Sequence, residues 1–210
     1  MTTRWIYKEP ANEQLAEQLA QDIDVNSIIA RILVQRGIHN ATQARSFFRP
    51  SLDQLPDPFL MRDMEKALRR IKKAIDKKEK ILIYGDYDVD GTTAVATVYG
   101  FLKNFYSNIE FYIPDRYKEG YGISKTGIDW AAEQNVNLLI SLDCGIKAIE
   151  VTEYANTKNI DLIIYDHHLP GETLPQAYAI LDPKMEDCPY PYKELSGCGV
   201  GFKLLQAFCE

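Results

Sequence analysis

The spacing of apolar positions changes character along the chain, and the changes divide it. Between residues 11 and 48 the interval is helical: Leu15 and Leu19 lie one turn apart, Ile28 and Ile32 repeat the step, and Gly37 follows as a C-terminal stop. A second short helix is expected after Asn40, with Ala41, Ala44, Phe47 and Phe48 on its apolar side. Prolines at positions 50, 56 and 58 then forbid a continuing helix, so this stretch reads as a linker or extended crossing. The helical period returns over 61–78 in Met61, Met64, Ala67, Leu68, Ile71, Ala74 and Ile75. Its other face is basic, with Lys66, Arg69, Arg70, Lys72, Lys73, Lys77 and Lys78. A solvated helix face is the plainer reading of that stripe; a contact with a phosphate backbone is the functional one.

From residue 81 onward short apolar runs alternate with helical stretches. The runs are 81–84, 109–113, 138–142, 162–165 and 178–181, and helices are expected at 92–104, 125–135, 146–158 and 200–208. Strands and helices alternating at these lengths predict right-handed βαβ units, and hence an α/β fold with a parallel sheet covered by helices on both faces. The predicted organisation is a small helical N-terminal segment, 1–55, followed by an α/β domain, 56–210.

In such sheets ligands bind beyond the carboxyl ends of the strands. Each of the five runs is followed by an aspartate: Asp86 (with Asp88 and Asp90), Asp115, Asp143, Asp166 and Asp182. One or two would be ordinary turn or cap residues. Several carboxylates gathered in one crevice repel unless a cation or protons neutralise them, so the pattern predicts a metal centre.

Composition adds limits. With 46% hydrophobic and 26% charged residues the chain is an ordinary globular one. No apolar run reaches the ~20 residues of a membrane span, and the first ten residues lack a secretory apolar stretch, so a cytoplasmic protein is expected. The four cysteines show no zinc-ligand spacing and read as free thiols. A net charge of −6 argues, taken alone, against a nucleic-acid binder, but a sum over the chain hides acids clustered around a cation.

Asp86-x-Asp88-x-Asp90-Gly91 is the sharpest motif. As a calcium loop it fails, since a strand leads into it and position twelve is Thr97 instead of a bidentate acid. Asp88-Val-Asp90-Gly91-Thr92 also resembles the nucleophile loop of haloacid-dehalogenase phosphatases, a fold that asks for no His-His pair. Taken with Pro114-Asp-Arg-Tyr-Lys-Glu-Gly-Tyr-Gly122, Asp143-Cys-Gly145, Asp166-His167-His168 and Ser196-Gly-Cys-Gly-Val-Gly201, in that order, the motif resembles the DHH family of metal-dependent phosphoesterases.

That resemblance implies a Rossmann-like domain and a Mn²⁺ (or Mg²⁺) centre of one or two ions held by Asp86, Asp88, Asp90, Asp143 and His167. It implies that Asp166 orients an imidazole and that His168 contacts the scissile phosphate. Arg116 is a candidate phosphate clamp, with a surface salt bridge as the competing reading. The amides of Gly197, Gly199 and Gly201 could receive a phosphate at a helix N-terminus. The family branch acting on short oligonucleotides or cyclic dinucleotides carries a histidine four residues before Asp88; Tyr84 stands there instead. The chain is therefore more similar to the branch that digests single-stranded DNA from the 5′ end in repair and recombination. Single-stranded nucleic acid, DNA before RNA, is the expected partner, and a non-catalytic metal-binding module the alternative. The family also has a further metal-binding aspartate and a groove-closing domain beyond the glycine-rich segment. The chain is accordingly expected to be part of a longer enzyme and weakly active or inactive alone.

Overall fold

In the computed structural model, residues 3–6 and 11–210 are described; the opening stretch read above for a secretory signal falls largely outside them. The chain forms two compact units, Met1–Leu55 and Pro56–Glu210.

The first unit holds three helices, α1 (Glu13–Ile23), α2 (Ser27–Gln35) and α3 (Ala41–Phe48), each opened by an asparagine whose side chain accepts a first-turn amide. Helix α1 ends where Asp24 adopts a left-handed conformation, φ 53°. The small core comprises Ala16, Leu19, Ala30, Leu33, Val34 and Ala44. The expected apolar faces are corrected here. Ile28, Ile32, Phe47 and Phe48 are 62%, 50%, 51% and 52% exposed. Helix α2 is apolar almost all round, and it is the Ala30–Leu33–Val34 stripe that faces the core, a choice that periodicity alone does not make.

The second unit is built on a five-stranded, fully parallel sheet of β1 (Lys80–Gly85), β2 (Ile109–Tyr112), β3 (Val136–Leu142), β4 (Asp161–Tyr165) and β5 (Ala179–Leu181), in the order β2-β1-β3-β4-β5. Strands β1, β3, β4 and β5 are buried along nearly their whole length, as a sheet covered on both faces requires. Helices α4 (Met64–Asp76), α5 (Val89–Leu102) and α8 (Gly197–Cys209) pack together on one face. Helices α6 (Lys125–Glu133) and α7 (Ile149–Thr157) cover the other. Strand order reverses between β1 and β3, and at that switch point the connections diverge to open a crevice beyond the strand ends. The fold thereby puts the residues following β1 and β3, Asp86 and Asp143, on its two sides. Among the described residues no helix is long and apolar enough to cross a membrane.

The basic face of α4 needs one correction. Arg70 is 3% exposed and turned inward, pairing with Glu79 at 2.7 Å and Asp161 at 2.5 Å. It straps α4 to the entry of β1 and the start of β4. Arg70 and Glu79 are shielded while Asp161 is 44% exposed, so removing the guanidinium leaves chiefly Glu79 short of its partner and Asp161 to water. Arg70→Ala is expected to lower unfolding free energy by about 1–2 kcal/mol, read by urea denaturation. Arg70→Lys should recover little, because a point charge does not fork between two carboxylates.

Candidate metal centre

Asp86, Asp88 and Asp90 occupy the sharp passage from β1 into α5. Asp88 caps α5: its Oδ1 accepts from the amides of Asp90 and Gly91, each at 2.9 Å, so one carboxylate oxygen is used in the cap. Gly91 is demanded by proximity, since a Cβ there would lie 2.5 Å from the Asp86 carbonyl oxygen. Asp86 is fully buried; Oδ1 accepts the Gly122 amide at 3.2 Å, and Oδ2 has no hydrogen-bond partner.

Asp90 reaches across to α8. Its Oδ2 accepts the Gly197 amide at 2.6 Å and its Oδ1 the Cys198 amide at 2.7 Å. A carboxylate at the positive end of a helix is stabilised by the unpaired amides there. Ser196 supplies the ordinary cap, accepting from the Gly199 amide at 3.1 Å.

Asp143 leaves β3 in a left-handed conformation, φ 62°, its amide donating to the Tyr165 carbonyl at 2.9 Å. Gly197 lies against its side chain so closely that a Cβ would fall 2.3 Å from Asp143 Oδ1. His167 Nε2 sits 3.0 Å from that same oxygen, without hydrogen-bond geometry, and 3.6 Å from Asp90 Oδ2. Asp143, His167 and His168 each present a ligand atom within 4.8 Å of the other two. Burial, then repulsion from Asp90 and Asp88, pushes the Asp143 carboxyl up to about 8. A carboxyl so placed holds a proton at neutral pH unless a cation replaces it. Two buried carboxylate oxygens without partners, beside an imidazole and two further acids, make a donor set that fits a divalent metal. Its mixed oxygen and nitrogen character suits Mn²⁺ better than Mg²⁺.

Asp166 has another task. Its Oδ1 accepts the amides of His167 at 2.7 Å and His168 at 3.2 Å and lies 2.7 Å from His168 Nδ1; Oδ2 accepts the Ile146 amide at 2.9 Å. Burial opposes its ionisation, but these bonds outweigh it and keep its pKa below the ordinary value. The Asp166 contact in turn raises the pKa of His168. His168 Nε2 lies 3.2 Å from Tyr121 Oη, and the Tyr121 hydroxyl donates to the Asp143 carbonyl at 3.2 Å. The Asp166 carboxylate thus favours the protonated form of an imidazole that stands beside the acidic cluster.

The remaining expected site residues fall differently. Arg116 lies over the Tyr87 ring, 5.3 Å to its centre, between the first and second motif loops, and makes no salt bridge among the described residues. The glycine-rich segment is a correction: the Gly197 and Gly199 amides are already engaged by Asp90 and Ser196, and Gly201 is buried inside α8, a Cβ there meeting Val98 at 3.2 Å. These glycines let α8 approach the acids; they do not present free amides to a phosphate. Asp115 caps the 115–118 turn away from the cluster. Tyr84 is buried and donates its hydroxyl to the Gly122 carbonyl at 3.0 Å, which anchors the loop bearing Tyr121.

The family model described as "DHH family, N-terminal domain" matches residues 80–210. The chain belongs to the DHH family. The chain is similar to the single-stranded-DNA-specific exonuclease RecJ of Bacillus subtilis (strain 168), 41% identical over 204 residues, covering 97% of this chain and 26% of that protein. RecJ of Escherichia coli (strain K12) is 35% identical over 181 residues, covering 86% of this chain and 31% of that protein. The chain thus spans about a quarter to a third of the length of these relatives (26% and 31%). Among solved structures, an exonuclease RecJ bound to manganese superposes with a TM-score of 0.63 at 29% identity, covering 70% of this chain and 37% of that one.

Tyr121 had no role assigned from sequence, and Gly197 was given a phosphate-binding one in place of its close contact with Asp143, although both lie inside quoted motifs. A hydroxyl that bridges a backbone carbonyl and an imidazole, and a glycine needed for a single close contact, leave no periodic trace. Two outcomes follow. In the metal-free DHH domain the Asp143 carboxyl, ordinarily near 3.8, keeps its proton until about pH 8. Its contribution to stability is present below 3.8 and lost as pH rises through about 8. Metal-free protein should therefore melt lower at alkaline than at mildly acidic pH. Mn²⁺ affinity should climb with pH and level off once Asp143 has ionised, and calorimetry in buffers of different ionisation enthalpy should show proton release at neutral pH. Affinity independent of pH across that range would contradict the account of Asp143. Gly197→Ala should weaken Mn²⁺ binding at least tenfold, ~1.4 kcal/mol, with the sheet intact by circular dichroism.

Proposed function

We propose that this DHH domain is the metal-binding half of a phosphodiesterase that removes nucleotides from single-stranded DNA. The observation that carries the reading is the pair of buried, unpartnered oxygens, Asp86 Oδ2 and Asp143 Oδ1, beyond the ends of β1 and β3. Groups of that kind are costly unless a cation completes them.

Asp86, Asp88, Asp90, Asp143 and His167 hold Mn²⁺ or Mg²⁺, one ion or two. A divalent cation in this position supplies an activated water and neutralises phosphate charge. His168, whose protonated form the Asp166 contact favours, is placed to meet a non-bridging phosphate oxygen, and Asp166 keeps its imidazole in register through Nδ1. Arg116, held over Tyr87, offers a planar fork to a neighbouring phosphate. Likeness to the RecJ proteins supports single-stranded DNA as substrate and 5′-to-3′ digestion. The buried, fully engaged Tyr84 hydroxyl disfavours the cyclic-dinucleotide reading, because no imidazole is present there to ligate. Four free cysteines suit a reducing compartment, in keeping with a cytoplasmic enzyme.

The test pairs binding with turnover. Asp88→Ala and His167→Ala should each weaken Mn²⁺ binding at least tenfold by calorimetry. Each should also abolish Mn²⁺-dependent release of mononucleotides from a 5′-labelled single-stranded oligonucleotide. Metal binding unchanged in both variants would refute the ligand assignment. Intact metal binding with no hydrolysis under any divalent ion by the longer enzyme that carries this domain would favour a non-catalytic metal module.

A further inference from the structure

A cavity of about 390 Å³ opens beside His168, between the loop that follows β2 and the start of α7. It lies at the lower end of the range of small-molecule pockets, about 300–1,000 Å³. Ile123, Ile146, Ala148 and Val151 supply its aliphatic lining, together with the rings of Tyr121 and His168 and the exposed Lys147. It shares Tyr121, Asp166 and His168 with the centre described above, so whatever fills it adjoins the group bound there.

The polar groups of the wall are committed. Both Asp166 oxygens accept bonds from neighbouring amides and from His168, and His168 is engaged at both ring nitrogens. The Tyr121 hydroxyl bridges His168 and the Asp143 carbonyl. Among the described lining residues, only the exposed Lys147 carries a side-chain hydrogen-bonding group with no partner. A ligand in this space meets aliphatic carbon and ring edges on the inside and one cation at the mouth.

We propose that this cavity seats the nucleobase of the nucleotide whose phosphate lies at the metal centre, and that it accepts any of the four bases. The inference rests on the phosphodiesterase reading and adds a base subsite to it. Flat, apolar-faced groups bind such walls by burial and stacking, which every base can provide. Discrimination between bases requires directed donors and acceptors at their edges, and among the described lining side chains only the flexible Lys147 has one to spare. Lys147 at the rim can meet an adjoining phosphate without touching the base.

The experiment compares ligands with and without a base. In the presence of Mn²⁺, calorimetry should give the four deoxynucleoside 5′-monophosphates affinities within about threefold of one another. All four should bind at least tenfold more tightly than 2-deoxyribose 5-phosphate. Val151→Trp, which fills the cavity, should reduce that preference to less than threefold while leaving Mn²⁺ affinity in the absence of nucleotide unchanged. That second measurement also establishes that the variant is folded with its metal centre intact. If deoxyribose phosphate binds as well as the nucleotides, or if Val151→Trp leaves the preference untouched, the base subsite is refuted while the phosphodiesterase reading stands. If one base is preferred by tenfold or more, base indifference is refuted. If wild-type protein binds no Mn²⁺ by calorimetry, the parent reading falls, and this one with it.

Discussion

Mutual repulsion among neighbouring carboxylates, two of them buried, is the constraint around which the second unit is arranged. Asp86, Asp88, Asp90 and Asp143 converge on the β1/β3 switch point, where burial and neighbouring charge push the Asp143 carboxyl up to about 8. A fold left to maximise stability alone would avoid the arrangement. The chain tolerates it by giving several of these acids backbone amides: Asp88 takes two from α5, Asp90 two from α8, Asp86 one from Gly122. What remains unmatched, Asp86 Oδ2 and Asp143 Oδ1, is what a cation would complete.

The close contacts around the acids then fix which residues surround them. Gly91 must lack a side chain to pass Asp86, and Gly197 to lie against Asp143. Tyr84 and Glu119 hold the loop that carries Tyr121. Tyr84 bonds Gly122 and Ser124, and the Glu119 carboxylate accepts from the Tyr112 hydroxyl, the Asp115 amide and the Ser124 hydroxyl. A rigid scaffold of this kind keeps catalytic groups within the small tolerances that reaction geometry allows.

The sheet was legible because buried parallel strands are written as short continuous apolar runs, and all five fall where those runs lie. The crevice was legible for a related reason: aspartates directly after strands must emerge at one edge of a parallel sheet. Pairwise choices were not. Nothing in the spacing of α4 distinguishes Arg70 from the solvated bases beside it; the difference is made by Glu79 and Asp161, distant in sequence and close in space. Helix α2 carried two apolar stripes, and the helices packed beside it decided which was buried. The glycine-rich segment looked like an anion cradle because its amides are near a helix start. Its actual occupant, Asp90, comes from the protein itself, 107 residues earlier.

That last contact bears on the order of assembly. Asp90 and Gly197 close a loop spanning almost the whole α/β unit, and the entropy of closing it must be met before their contact can contribute. Contacts of high sequence separation form late in folding as a rule. Asp90 is therefore without its two compensating amides until α8 has docked, so a chain still lacking that helix cannot present the same carboxylate geometry. The centre is in this sense a checkpoint on folding: a cation finds its full set of donors only on a chain whose topology is already complete.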